Sequence, residues 1–108
     1  FLQGSIDFVF EHKGRIYLID WKSNKLKDYH PKTLETEVKN NYILQLQIYT
    51  LATSYWFNLN TEEKYEKRFG GVLYIFLRGM PQREGVFFFR PCWNDLLEYE
   101  KILSLEKY

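Results

Sequence analysis

The chain has 108 residues, 45% of them hydrophobic and 19% aromatic, enough for one small domain with its own core and far from the composition of a disordered segment. A formal charge of +1 leaves a nucleic-acid partner undecided, because a small catalytic site can meet DNA while neighbouring domains supply most of the phosphate attraction. The single cysteine, Cys92, excludes an internal disulfide and any cysteine-only metal cluster built from this chain, and no uninterrupted apolar run is long enough to span a bilayer.

The chain opens at Phe1 with neither an initiator methionine nor a signal-peptide start, and residues 1–108 read as one soluble domain fragment of something longer. Residues 4 to 11 and 15 to 22 alternate as two strands, with Lys13 and Gly14 as a tight hairpin turn. The polar stretch from Ser23 to about Thr33, carrying Pro31, reads as a loop. From Leu34 to about Asn58 there is no Pro or Gly, and Leu44, Ile48, Leu51, Ala52 and Tyr55 recur at helical spacing, so this is the longest helix. A charged connection, "NLNTEEKYEKRF", leads to "GGVLYIFLRG", a nearly continuous apolar run expected to be a strand covered on both faces. A neighbouring strand, "GVFFFRP", follows the "MPQRE" turn, and Asn94 to Tyr108 forms a terminal helix with Asn94 as its cap. The order β-β-α-β-β-α predicts an α/β or α+β core, a sheet with a long helix packed on it.

Aspartate is disfavoured inside strands, yet each strand of the hairpin contains one, Asp7 and Asp20. With Lys13 and Gly14 at the turn, facing residue numbers sum to 27, which sets Asp7 opposite Asp20 and Ser5 opposite Lys22. The two carboxylates then lie roughly 5 Å apart at their Cβ atoms, and Lys22 shares their face. Two unit charges at that separation repel by about 3 kcal/mol at an effective dielectric near 20. A bound divalent cation would offset the repulsion, and carboxylate oxygens are the hard donors that Mg²⁺ takes when it also keeps waters and meets phosphate oxygens. Lys22 would then orient a water or stabilise charge developing on phosphorus, the chemistry of metal-assisted phosphodiester hydrolysis. The alternative is an ordinary exposed charge cluster, with Lys22 satisfying Asp20 on a water-facing sheet.

An aspartate, a span of hairpin and then Asp-x-Lys resembles the nuclease core of the PD-(D/E)xK superfamily. The longer strings "GSIDFVF", "YLIDWKSN", "YILQLQIYTLA" and "GGVLYIFLRGM", in this order across residues 4 to 80, resemble the C-terminal nuclease domain of RecB-type helicase-nucleases. The resemblance implies a restriction-endonuclease-like α/β core: a central mixed sheet with a β-hairpin, a long helix on it and a C-terminal helix, with the N-terminal part of the domain missing. It implies that Asp7 and Asp20 bind metal together with the backbone carbonyl of Trp21, that Lys22 is catalytic, and that Gln45 and Tyr49 match the family's Q-x-x-x-Y motif as DNA-binding or active-site support. Four residues apart, Gln45 and Tyr49 stack on one helix face at the flank of the apolar stripe, where packing and local hydrogen bonding are the alternative role.

Further implications of the resemblance are Mg²⁺, with Mn²⁺ able to substitute, single- and double-stranded DNA, helicase domains earlier in the same full-length chain, RecC- and RecD-type subunits, and a bacterial cytoplasmic setting. A histidine ligand from a segment before the first strand has no counterpart here, since neither His12 nor His30 matches it. An AddA-type helicase-nuclease domain and a non-catalytic DNA-binding or docking module are the rival readings. Gly70 and Gly71 lack the Gly-Lys-Ser/Thr ending of a phosphate loop, so no ATP site is expected, and one cysteine cannot hold an iron-sulfur cluster. Lys25, Lys27 and Arg78 are either phosphate contacts or solvated charge. Phe87, Phe88 and Phe89 are expected in the sheet core rather than stacked on bases.

Overall fold

The computed structural model describes residues 8–105, so Asp7 and Ser5, and the facing pairs expected of them, lie outside the described residues. β1 (Phe8–His12) and β2 (Arg15–Lys22) form the hairpin. Lys13 and Gly14 both take positive φ, 51° and 80°, the mirror-image turn whose twist matches two right-twisted strands. The pairs run from Phe8 opposite Ile19 to His12 opposite Arg15, so facing numbers sum to 27 across β1, as expected. Three helices, α1 (Pro31–Asn41), α2 (Ile43–Trp56) and α3 (Glu62–Arg68), then carry the chain to β3 (Phe69–Phe76), which lies parallel to β2. A 3-10 segment (Leu77–Gln82) leads to β4 (Val86–Phe89), antiparallel to β3, and α4 (Trp93–Leu105) follows. The result is one mixed sheet in the order β1-β2-β3-β4 with helices against it.

The parallel pair contains a bulge. Ile16 faces Phe69 but Tyr17 faces Gly71, so Gly70 is the extra residue. A Cβ on Gly70 would lie 2.6 Å from the Tyr17 ring, and Gly71, at φ 139°, would drive one to 2.4 Å from the Phe88 ring. Beyond the bulge the pairing resumes with Leu18 beside Val72, Asp20 beside Tyr74 and Lys22 beside Phe76. Ile16, Leu18, Val72, Tyr74 and Phe76 form the sheet's inner surface, closed by Leu34 and Val38 of α1 and Leu46 of α2.

The helical region departs from expectation in three ways. Pro31 begins a helix instead of sitting in a loop, because its fixed φ and missing N–H suit the first helical position. The single long helix is two, broken at Tyr42 (φ −128°, ψ 10°) after Asn40 and Asn41, both weak helix formers. Hydrogen bonds still cross the break: the Tyr42 N–H donates to Val38 O at 2.8 Å and its carbonyl accepts from Leu46 N at 2.9 Å. The buried face of α2 is also rotated from the one its apolar spacing suggested. Gln45, Leu46, Tyr49, Thr50 and Thr53 are buried, whereas Leu44 is exposed and Tyr55 is 65% exposed. Apolar residues occur all round α2, so their spacing does not mark its core side. Thr50 and Thr53 can be buried because their hydroxyls donate to Leu46 O and Tyr49 O, each at 2.8 Å.

The charged connection folds as α3, with Thr61 accepting from the Lys64 N–H at 3.2 Å, acids in its first turn and Lys67 and Arg68 in its last. α4 begins one residue before the expected cap: Asn94 is inside it, and Asp95 accepts from the Cys92 N–H at 2.9 Å. β3 is covered fully on one face only, since Leu73 and Ile75 on the other are half-buried. Of the three phenylalanines expected in the sheet core, Phe87 packs there. Phe88 projects from the opposite face and is 50% exposed, because strand side chains alternate.

Candidate active site

Alternation along β2 sends Ile16, Leu18 and Asp20 inward, with Lys22 following at the strand's carboxyl end, while the Trp21 side chain turns outward. Asp20 is only 5% exposed. The exposed charge cluster that geometry left open is therefore not what the chain builds: Asp20 and Lys22 meet, largely buried, at the carboxyl ends of the parallel pair. Lys22 Nζ lies 3.3 Å from Asp20 Oδ2 and donates to Gln45 Oε1 at 3.3 Å. The Tyr74 hydroxyl donates to the same Gln45 oxygen at 3.3 Å, and Gln45 Nε2 donates to the Tyr49 hydroxyl at 3.2 Å. Gln45 thus divides its amide, oxygen toward the cation and nitrogen toward a tyrosine, which fixes which end faces Lys22.

Rings close the remaining side. Lys22 Nζ sits 3.9 Å from the Tyr42 ring centroid and 5.7 Å from that of Tyr74, and the two rings stack at 5.9 Å. Asn24 donates to the Tyr42 hydroxyl at 2.6 Å and to Glu37 Oε2 at 2.8 Å. Burial pushes the Tyr74 hydroxyl well above the usual tyrosine range, and the Asp20 carboxylate adds to the shift, so Tyr74 stays a neutral donor throughout the physiological range.

The structure therefore brings together Asp20, Lys22, Gln45 and Tyr49. Gln45 and Tyr49 belong to the buried face of α2 rather than its flank. The expected Asp7 lies outside the described residues, and Trp21 is 45% exposed on the other face of the sheet, leaving its backbone between Asp20 and Lys22 as its connection to the pocket. Sequence reasoning missed Tyr42, Tyr74 and Asn24. Tyr42 stands three residues before Gln45, at helical spacing on the same face, a signal that was present. Tyr74 could not be placed from sequence, since its proximity to Asp20 depends on the offset between two parallel strands. His30 lies elsewhere, its Nδ1 3.0 Å from Glu84 Oε2. Lys25 and Lys27 are exposed, and Arg78 donates to Ser23 O at 2.9 Å, tying the ends of β2 and β3.

The whole sequence carries a family signal as well. The family model of the PD-(D/E)XK nuclease superfamily matches residues 1–104. The chain belongs to that superfamily. It is 46% identical over 110 residues to the RecBCD enzyme subunit RecB of Haemophilus influenzae, covering 94% of this chain and 9% of that protein. It is 40% identical over 99 residues to the RecB protein of Escherichia coli, covering 83% and 8%. An ATP-dependent helicase/nuclease protein of Natranaerobius thermophilus is 33% identical over 64 residues, 59% of this chain and 5% of that protein. The chain thus spans about a tenth of the length of the curated relatives it matches.

PD-(D/E)XK nucleases generally use divalent metal ions. The donors facing this pocket, the Asp20 carboxylate and the Gln45 amide oxygen, are oxygens, which suit a hard divalent cation. Among the described residues no three His, Cys, Asp or Glu side chains converge on one point. None of the described helices is long and apolar enough to cross a membrane.

Proposed function

We propose that this chain is the nuclease domain of a RecBCD-type helicase-nuclease and hydrolyses DNA phosphodiester bonds with Mg²⁺, with Mn²⁺ able to replace it. The observation that carries the reading is Lys22, held largely buried between Asp20 and Gln45 at the carboxyl ends of β2 and β3. An ammonium and a carboxylate withdrawn together from water cost more than a surface pair, and hydrophobic replacement of such pairs is often neutral or stabilising. Their presence fits chemistry better than folding. Similarity to RecB proteins across most of the chain supports the same reading.

In this reading Asp7, Asp20 and the Trp21 carbonyl hold the metal. When bound, such an ion lowers the pKa of a coordinated water and offsets phosphate charge. A water oxygen forms the new bond to phosphorus, the bond to the leaving sugar oxygen breaks, the attacking water's proton passes to solvent, and the leaving oxygen takes up a proton from solvent to depart as a hydroxyl. Lys22 stabilises the negative charge that builds on the phosphate oxygens, from a position fixed in advance by Gln45. Tyr49 and Tyr74 keep the Gln45 amide turned so that its oxygen faces the ammonium. Single- and double-stranded DNA as substrates, helicase domains in the same full-length chain, RecC- and RecD-type partner proteins and a bacterial cytoplasmic location complete the proposal.

The test is calorimetric titration of Mg²⁺ or Mn²⁺ into the intact wild-type protein and Asp20→Ala, with cleavage of single-stranded DNA followed in parallel. Asp20→Ala is expected to lose metal affinity. Lys22→Ala is expected to keep metal but cut at least about a hundredfold more slowly, the scale of losing one preorganised electrostatic contact. Equal metal binding by wild type and Asp20→Ala would remove the metal assignment, and undiminished cutting by Lys22→Ala would favour a docking module that has kept the nuclease fold.

A further inference from the structure

We propose that Tyr42 is a positioning residue for the same chemistry: its ring is the wall of a cradle that holds the Lys22 ammonium in place for the phosphate. This rests on the nuclease reading of the pocket. An ammonium has three N–H directions. One of them ends on Gln45 Oε1 at 3.3 Å, and Asp20 Oδ2 faces the nitrogen as an ion pair at the same distance. Charge-assisted N–H···O contacts are ordinarily nearer to about 2.8 Å, so these two hold the nitrogen loosely. The Tyr42 centroid at 3.9 Å is, by contrast, well inside the distance of about 6 Å at which a ring face attracts a cation.

The ring is itself braced. Its hydroxyl accepts from Asn24, whose amide also donates to Glu37, and its face stacks on Tyr74, which reaches Gln45. Two residues that touch Lys22, Tyr42 and Gln45, are therefore locked to one another through Tyr74. The break between α1 and α2 falls at Tyr42, so the backbone leaves helical geometry at the residue that covers the lysine. A ring suits this place better than another carboxylate would. It attracts the ammonium but carries no net charge, so it holds Lys22 without cancelling the positive charge a phosphate must meet.

The first measurement needs neither metal nor DNA. The ε-CH₂ protons of Lys22, one bond from the nitrogen that lies over the Tyr42 face, are expected upfield of ordinary lysine positions in the proton NMR spectrum, and Tyr42→Leu should return them. In cleavage of single-stranded DNA, Tyr42→Leu is expected to lower kcat by about tenfold or more with KM within about twofold, because a displaced group costs rate more than binding. Tyr42→Phe, which keeps the ring, should recover most of that loss. Ordinary Lys22 shifts in the wild-type protein would overturn the proposal even if Tyr42→Leu does not fold, and so would an unchanged kcat in a folded Tyr42→Leu. Failure of the nuclease reading looks different: Lys22→Ala would cut normally while the wild-type protein still showed the upfield Lys22 shift.

Discussion

The two ends of the sheet each hold a network of charged side chains, built on opposite plans. At the amino end of β3, Arg90 donates to Phe69 O at 2.8 Å, to Glu66 O at 3.0 Å and to Glu66 Oε1 at 2.9 Å, while Glu66 Oε2 accepts from the Trp93 N–H at 2.8 Å. These bonds are short and mostly reach backbone, and they tie α3, the start of β3, the residue after β4 and the start of α4 to one guanidinium fork. At the carboxyl end, around Lys22, the bonds from Lys22 to Gln45, from Gln45 to Tyr49 and from Tyr74 to Gln45 run between side chains, at 3.2 to 3.3 Å. Short bonds to backbone fix the relative placement of elements. Longer bonds between side chains can be exchanged for bonds to an arriving group without disturbing the fold.

The strongest way to break this contrast is to remove the charges from the carboxyl end. Asp20→Asn combined with Lys22→Met is expected to abolish DNA cleavage, at least about a hundredfold, yet change unfolding free energy by no more than about 1 kcal/mol, since both members of the pair go together. Urea titration beside a cleavage assay checks both halves. A stability loss several times larger would mean the carboxyl end is a structural hub as well. The converse experiment is Arg90→Ala, expected to cost about 2 kcal/mol and lower the melting temperature, because it strips partners from two carbonyls and a carboxylate, while calorimetric metal affinity stays unchanged.

The smallest effect is in acid. The Trp93 N–H holds the Glu66 carboxyl below the usual glutamate range, with Arg90 adding to this and burial opposing it. A carboxyl whose folded pKa is depressed contributes stability above its unfolded value and loses that contribution as pH falls through the folded one. Wild type should therefore lose stability on acidification below the ordinary glutamate range more steeply than Glu66→Gln. Thermal melts across that range, at fixed ionic strength, would show parallel curves if Glu66 were an ordinary surface acid.

Much of this was legible in the residues, and the limits have physical causes. The hairpin register followed from Lys13 and Gly14, because a two-residue turn leaves no freedom in which residues face each other. The side shared by Asp20 and Lys22 followed from strand alternation alone. Their burial did not follow, since that depends on what α1 and α2 place over the sheet. α2 is apolar almost all round, so the spacing of Leu44, Ile48 and Tyr55 pointed to a face that the structure leaves partly in water, whereas Gln45 and Tyr49 look inward. Tyr42 sat inside what read as one continuous helix, and only the break reveals it as a junction. Tyr74 depended on strand offset, which a crossover connection of three helices does not encode locally.

That offset is set by a single residue far from the pocket. Gly70, the extra residue of the bulge, advances β3 by one position relative to β2, and that is why Tyr74 rather than Leu73 lies beside Asp20. Taking Gly70 into the ladder opposite Tyr17, with no bulge, would act on the folded chain as a frameshift acts on a message. Every residue after it would be read on the wrong side of the sheet, with Leu73 and Ile75 turned toward the core and Tyr74 carried away from Gln45. The two glycines that look like slack at the start of β3 keep the frame of the pocket at its other end.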